Sequence, residues 1–181
     1  MPTAIRYGAI ARAGIAANAG PMFDYKPADG ASKHELYDDL CSAADALTRD
    51  EPDAVANMAN VAALLADFLP DLNWAGFYRT LGAELVLGPF VGRPACIRIA
   101  WGQGVCGTAA ASARTQLVPD VHAFAGHIAC DAHTRSELVV PVVRDGNVVA
   151  VIDLDSPSPA RFDEKDAAGI ERLAVMLAER I

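Results

Sequence analysis

Leu138-Val139-Val140-Pro141-Val142-Val143, then Asp145-Gly146, then Val148-Val149-Ala150-Val151-Ile152-Asp153-Leu154, is the stretch that decides the fold. Two β-branched runs flank an Asp-Gly pair, which readily supplies the positive φ angles of a tight hairpin turn. An antiparallel hairpin is therefore predicted here. Pro141 has no N–H to offer, so the first strand should carry one unpaired or bulged position. After it, Asp163 is predicted to cap a helix bearing Ala167, Ile170, Leu173, Ala174 and Leu177 at helical spacing. Before it, residues 73–80 and 84–91 are short, aromatic and β-branched, and Gly82 lies between them, predicting a second hairpin. A further strand is expected over 95–100, a turn at Gly102-Gln103-Gly104, a short Ala-rich helix over 105–114 and a strand over 115–118. A long irregular loop should fill 119–136.

Nearer the N-terminus, Ser32-Lys33-His34-Glu35 has the form of a capping box and precedes Leu36, Leu40, Ala43, Ala44 and Leu47. A second helix is expected to open at Pro52, with Val55, Met58, Ala62, Leu65 and Phe68 or Leu69 on one face, and to stop at Pro70-Asp71. Helices, then an antiparallel sheet, then a helix describe an α+β domain over residues 32–181. Residues 1–31 hold several Gly and Pro without sustained periodicity and are expected to form a loosely structured extension.

The chain has 181 residues, 52% of them hydrophobic and 21% charged, the balance of a globular protein. A formal charge of -8 repels phosphate backbones and anionic lipid, so nucleic acid is not an expected partner. No apolar run reaches the ~18 residues of a membrane span, and the small-residue N-terminus lacks the apolar block of a secretory signal. The expected location is the cytoplasm.

Four cysteines in a chain this size do not suggest a disulfide scaffold. Cys41 falls on the apolar face of the first helix and reads as packing. Cys96, Cys106 and Cys130 fall in or beside glycine-rich loops, where backbones approach ligands. They could be inert buried thiols, zinc ligands together with His127, or redox groups; a zinc site lacks the usual C-x-x-C knuckle, so no metal is expected. Redox chemistry asks for a thiolate, a resolving thiol and an acid. Cys130 lies between His127 and His133, either of which as imidazolium would favour a thiolate. Cys106 stands near the start of the short helix, whose unpaired N–H groups favour negative charge. Glu137, Asp153 and Asp155 are candidate acids. The two aspartates, two apart on a strand, share a face, and side by side they would raise one pKa. Trp74 and Tyr78 also share a face and could equally be core.

The segments Gly88-Pro-Phe-Val-Gly-Arg-Pro-Ala-Cys96, Gly104-Val-Cys106-Gly and Val118-Pro-Asp-Val-His-Ala-Phe-Ala-Gly-His-Ile-Ala-Cys130-Asp resemble the free methionine-(R)-sulfoxide reductases. So do Asn73-Trp74-Ala-Gly-Phe-Tyr78, Ser136-Glu137-Leu-Val-Val-Pro-Val and Val151-Ile-Asp153-Leu-Asp155-Ser-Pro; the resemblance spans about residues 33–180. It implies a GAF domain with a central antiparallel sheet, helices on one face and a loop-covered pocket on the other. It also implies thiol-dependent reduction of free methionine sulfoxide. Cys130 would be the nucleophile that becomes a sulfenic acid. Cys96 would be the main resolving thiol, with Cys106 an alternative, and thioredoxin would reduce the disulfide, drawing ultimately on NADPH with no bound cofactor. Glu137, Asp153 and Asp155 would hold the substrate ammonium, and Trp74 and Tyr78 would wall the methyl sulfoxide. A homodimer is expected. The competing reading is a GAF module that senses a small molecule without chemistry, which would not require the three cysteines.

Overall fold

The two hairpins meet along their inner strands to form the middle of one six-stranded antiparallel sheet, ordered Arg98–Ala100, Glu84–Gly92, Trp74–Leu81, Asn147–Ser156, Ser136–Arg144 and Gln116–Val118. The computed structural model describes residues 30–126 and 132–181. Its elements are α1 (Lys33–Thr48), α2 (Ala54–Phe68), β1 (Trp74–Leu81), β2 (Glu84–Gly92), β3 (Arg98–Ala100), α3 (Gly104–Ser112), β4 (Gln116–Val118), β5 (Ser136–Arg144), β6 (Asn147–Ser156) and α4 (Glu164–Leu177). A short 3-10 turn at Val121–Ala123, capped by Asp120, interrupts the expected long loop. All but two residues of the proposed N-terminal extension lie outside the described residues.

Side chains alternate across the sheet, as a period of two requires. Ala75, Phe77, Leu138, Val140, Val142, Ile152 and Leu154 point into a core shared with α1, α2 and α4. Trp74, Tyr78, Leu85, Val139 and Val151 point the other way, into a smaller cluster with α3. Helices therefore cover one face; the other carries α3 and loops over a cleft.

The hairpin turn is as expected: Asp145 and Gly146 take φ of 50° and 77°, the paired positive angles of a type I′ turn. The strand carries the expected irregularity, but it falls between Val142 and Val143, one residue beyond Pro141, which stays in register opposite Val151. Its missing N–H leaves no ladder broken on the other side, because β4 ends opposite Val139 and never reaches it. The second helix also differs at its start. Asp53, not Pro52, sets its beginning by accepting the Ala56 N–H, and Val55 is 50% exposed. Val61 takes its place in the buried face with Met58, Ala62, Leu65 and Phe68.

α1 and α4 cross where Gly169 meets the ring of Tyr37. The Tyr37 hydroxyl donates to Asp166 Oδ1 at 2.8 Å, and Lys33 Nζ donates to Asp166 Oδ2 at 2.6 Å. Asp166 in turn closes a capping box with Asp163 at the start of α4. Asp163 Oδ2 lies 2.9 Å from Lys33 Nζ, and that bond holds its carboxyl down at about 2. Its contribution to stability is complete above the ordinary value of 3.8 and is lost as pH falls through about 2. Replacing it with alanine removes the cap, and Asp163→Ala should cost about 1 kcal/mol in urea melts at pH 7. A loss of that size should be absent when wild type and variant are compared at the acid end of the titration.

Candidate active site

The cleft is built on the sheet face opposite the three-helix layer. Gly76 sits between Trp74 and Tyr78 on β1, and a Cβ there would drive into the Phe90 backbone, at 2.7 Å from its Cα. The bare position lets Phe90 on β2 close over it. Trp74 stacks with Phe90 at 5.2 Å and with Tyr78 at 5.9 Å between ring centroids. Its indole N–H donates to the Arg93 carbonyl at 3.2 Å, which fixes the ring's direction. The aromatic wall is thus rigid.

α3 forms the opposite wall. Gly104 takes φ +61°, and Gly107 passes against the Ala100 carbonyl with no space for a side chain. The Gly102 N–H donates to the Gly107 carbonyl at 2.8 Å, closing the turn onto the helix. The G-V-C-G motif therefore presses Cys106 onto the strands. There its thiol faces Glu137 Oε1 at 3.9 Å.

Three carboxylates form the floor. Register places Asp153 opposite Gly76 and Val139, while Asp155 lies opposite Trp74 and Glu137. Glu137 and Asp153 are each only 6% exposed, whereas Asp155 is half-buried at the strand end. Burial pushes Asp153 up to about 7 and raises Glu137 well above the carboxylate range, with Asp153 as its nearest charge. Carboxylate oxygens of the two lie within 4.8 Å of each other, and in so buried a place both cannot readily ionise, so the pair holds a proton. One aspartate of the expected pair, Asp153, is raised, with burial as the first cause, and Glu137 on the neighbouring strand is raised with it. Asp153 Oδ1 is buried without a hydrogen-bond partner.

The same environment corrects the expectation for Cys106. It is the third residue of α3, near the helix N-terminus as expected. Burial first, and then the charges of Asp153 and Glu137, drive its pKa well above the usual thiol value. It is a thiol, not a thiolate. Tyr78 is pushed up for similar reasons, burial and Asp153.

The cleft opens between the aromatic wall, α3 and the carboxylate floor. It brings together Trp74, Tyr78, Cys106, Glu137, Asp153 and Asp155. Cys96 is half-buried, packs against the cleft-side cluster and is disulfide-bonded, while Cys41 and Cys106 are free. Cys130 and His127 lie outside the described residues, and His133 is exposed. Cys41 packs against the helix-side core, and burial raises its pKa, as befits an inert thiol. Three contributors were not singled out from the sequence: Phe90, Arg93 at the mouth, and buried Thr134, which accepts from Asn73 Nδ2 at 3.0 Å. Phe90 alone had a signal, as an aromatic in a strand predicted to pair with that of Trp74.

The described helices include none long and apolar enough to cross a membrane. The GAF domain family matches residues 40–181. The chain is 47% identical to the free methionine-R-sulfoxide reductase of Escherichia coli over 146 residues, covering 81% of this chain and 88% of that one. It is 42% identical to the free methionine-R-sulfoxide reductase of Saccharomyces cerevisiae, over 81% of this chain and 86% of the other. An X-ray structure of free methionine-R-sulfoxide reductase from Neisseria meningitidis in complex with its substrate superposes with a TM-score of 0.80 at 44% identity, covering 83% of this chain and 90% of that one.

Proposed function

Because the chain belongs to the GAF-domain family and, within it, to the free methionine-R-sulfoxide reductases, we propose that it reduces free methionine-(R)-sulfoxide at the cleft walled by Trp74, Tyr78 and Cys106. The observation that carries this reading is the buried Glu137–Asp153 pair. It holds a proton beside an aromatic wall and offers an unpartnered oxygen to an incoming cation.

The free amino acid brings an ammonium that pairs with Glu137, Asp153 and Asp155. Methionine within a peptide lacks that charge and would leave these carboxylates buried without a partner, a penalty of several kcal/mol. The Cys130 thiolate attacks the sulfoxide sulfur while the carboxyl pair delivers a proton to the sulfoxide oxygen. The S–O bond breaks as the OH passes to Cys130, giving the thioether methionine and a cysteine sulfenic acid. The Cys96 thiol then attacks the sulfenic sulfur, and water leaves as a disulfide forms. A dithiol protein of the thioredoxin type returns two electrons and two protons by exchange, and no cofactor is held by the reductase itself. The disulfide-bonded state of Cys96, beside free thiols at Cys41 and Cys106, supports Cys96 as the first resolving group. Cys106, buried and protonated, is the slower alternative. The working unit is a cytoplasmic homodimer.

The test is NADPH consumption with thioredoxin and thioredoxin reductase. Wild type should turn over free methionine R-sulfoxide and leave the peptide-bound form untouched, and Cys130→Ser should be inactive. Full activity in Cys130→Ser would remove that residue from the nucleophile's role. Adding sulfoxide to the reduced protein should make two thiols disappear. An unchanged thiol count alongside measurable binding would instead mark a sensor.

A further inference from the structure

Cys106 on α3, Glu137 on β5 and Asp153 on β6 each bring one ligand atom to within 4.8 Å of the others. We propose that these three side chains form a site for a thiophilic divalent cation such as zinc, which closes the cleft to substrate. The exclusion of substrate rests on the reading of the cleft given above; the cation site does not.

Two separate observations point to a cation. One is the donor geometry. Zinc holds sulfur at about 2.3 Å and carboxylate oxygen at about 2.0–2.2 Å, which sets tetrahedral donors roughly 3.5 Å apart. Cys106 Sγ and Glu137 Oε1 already stand 3.9 Å apart, so modest side-chain rotation closes the set. The other is Asp153 Oδ1, buried in a residue only 6% exposed and without any hydrogen-bond donor. A buried acceptor in that condition is short of positive charge.

The donor types select among cations. One sulfur with two carboxylates suits a borderline ion such as zinc. Calcium and magnesium ask for six or more oxygens, and the cleft does not gather them here. Three protein ligands leave the fourth position open toward the cleft. On binding, the Cys106 thiol releases its proton to solvent as the sulfur–metal bond forms, and the carboxyl pair releases the proton it shares. No electron moves. The cation then meets three negative charges and takes the place that the substrate ammonium needs.

The experiment titrates the whole protein in its disulfide-bonded form with cadmium, a spectroscopic substitute for zinc. A sulfur-to-cadmium charge-transfer band should rise to one equivalent. It should vanish in Cys106→Ser and persist in Cys41→Ser. In Asp153→Asn affinity should fall at least about tenfold, since even residues that only support a ligand are worth that much. No band, or a band that survives Cys106→Ser or disappears in Cys41→Ser, would overturn the site. Should Cys106→Ser fail to fold, the Asp153→Asn titration decides alone. Free methionine sulfoxide should displace zinc in calorimetry. Zinc binding that methionine sulfoxide leaves unchanged would overturn the exclusion of substrate. No binding in an active reductase would refute the cation site and leave the reductase reading intact.

Discussion

Asp153→Asn should cut kcat/KM by about 10²–10⁴-fold, the range of a lost general acid, while making the protein more stable above neutral pH. The two effects share one cause. Asp153 is buried beside Glu137, and its pKa stands at about 7 against an ordinary 3.8. Below 3.8 it is protonated in both folded and unfolded chains and costs nothing. As pH rises from there, the unfolded chain ionises freely and the folded chain does so only against burial, so stability drains away until about pH 7 and then levels off. An asparagine has no such charge to bury and can donate to Glu137. Urea melts should therefore show the variant gaining about 2–4 kcal/mol at pH 8 and little at pH 4. Equal stabilities at both pH values would mean that Asp153 is not the strained group.

Gly169→Ala should be among the most damaging single substitutions on the helix-covered side. In an exposed helix interior this change is worth roughly 1 kcal/mol in favour of alanine. At this crossing the new methyl would enter the ring of Tyr37, which is 1% exposed and tethered through its hydroxyl to Asp166. The ring cannot swing aside without breaking that bond, and the helices cannot part without opening the core. Overpacking of this kind costs about 1–3 kcal/mol, and loss of the charged hydrogen bond adds about as much. A total near 4 kcal/mol should appear in denaturant unfolding. In a Tyr37→Ala background the same substitution should be neutral or stabilising, because the obstacle is gone. A Gly169→Ala penalty that persists there would place its origin elsewhere.

Local chemistry carried much of this molecule's legibility. The Asp-Gly turn, the capping box at Ser32 and Glu35, and the Asp163 cap each act over a few residues, and each stands where the sequence placed it. Alternation also sufficed to put Trp74 with Tyr78, and Asp153 with Asp155, on one face. What could not be read depends on how distant strands register. Glu137 joins the two aspartates because the β5–β6 register sets it opposite Asp155, and burial raises both it and Asp153. Cys106 was open to a thiolate reading from its helix position alone. Burial, and then two carboxylates brought in by other strands, reverse that. Phe90 completes the aromatic wall only because Gly76 leaves it space. The roles of the individual cysteines came from family resemblance, and no spacing in the chain supplies them.

The pairing of β1 with β6 has a consequence for how the chain is made. Trp74 finds Asp155 and Gly76 finds Asp153 as cross-strand partners, so the seam at the heart of the sheet joins segments far apart in the polypeptide. On the ribosome, the front half emerges with the inner edge of β1 bare until residues 147–156 have cleared the exit tunnel. Folding should wait on that late arrival and then run slowly for a protein of this length, since such a long loop must close before its contacts stabilise it. Nascent chains cut short before Asn147 should be open to proteolysis and rich in chaperone clients.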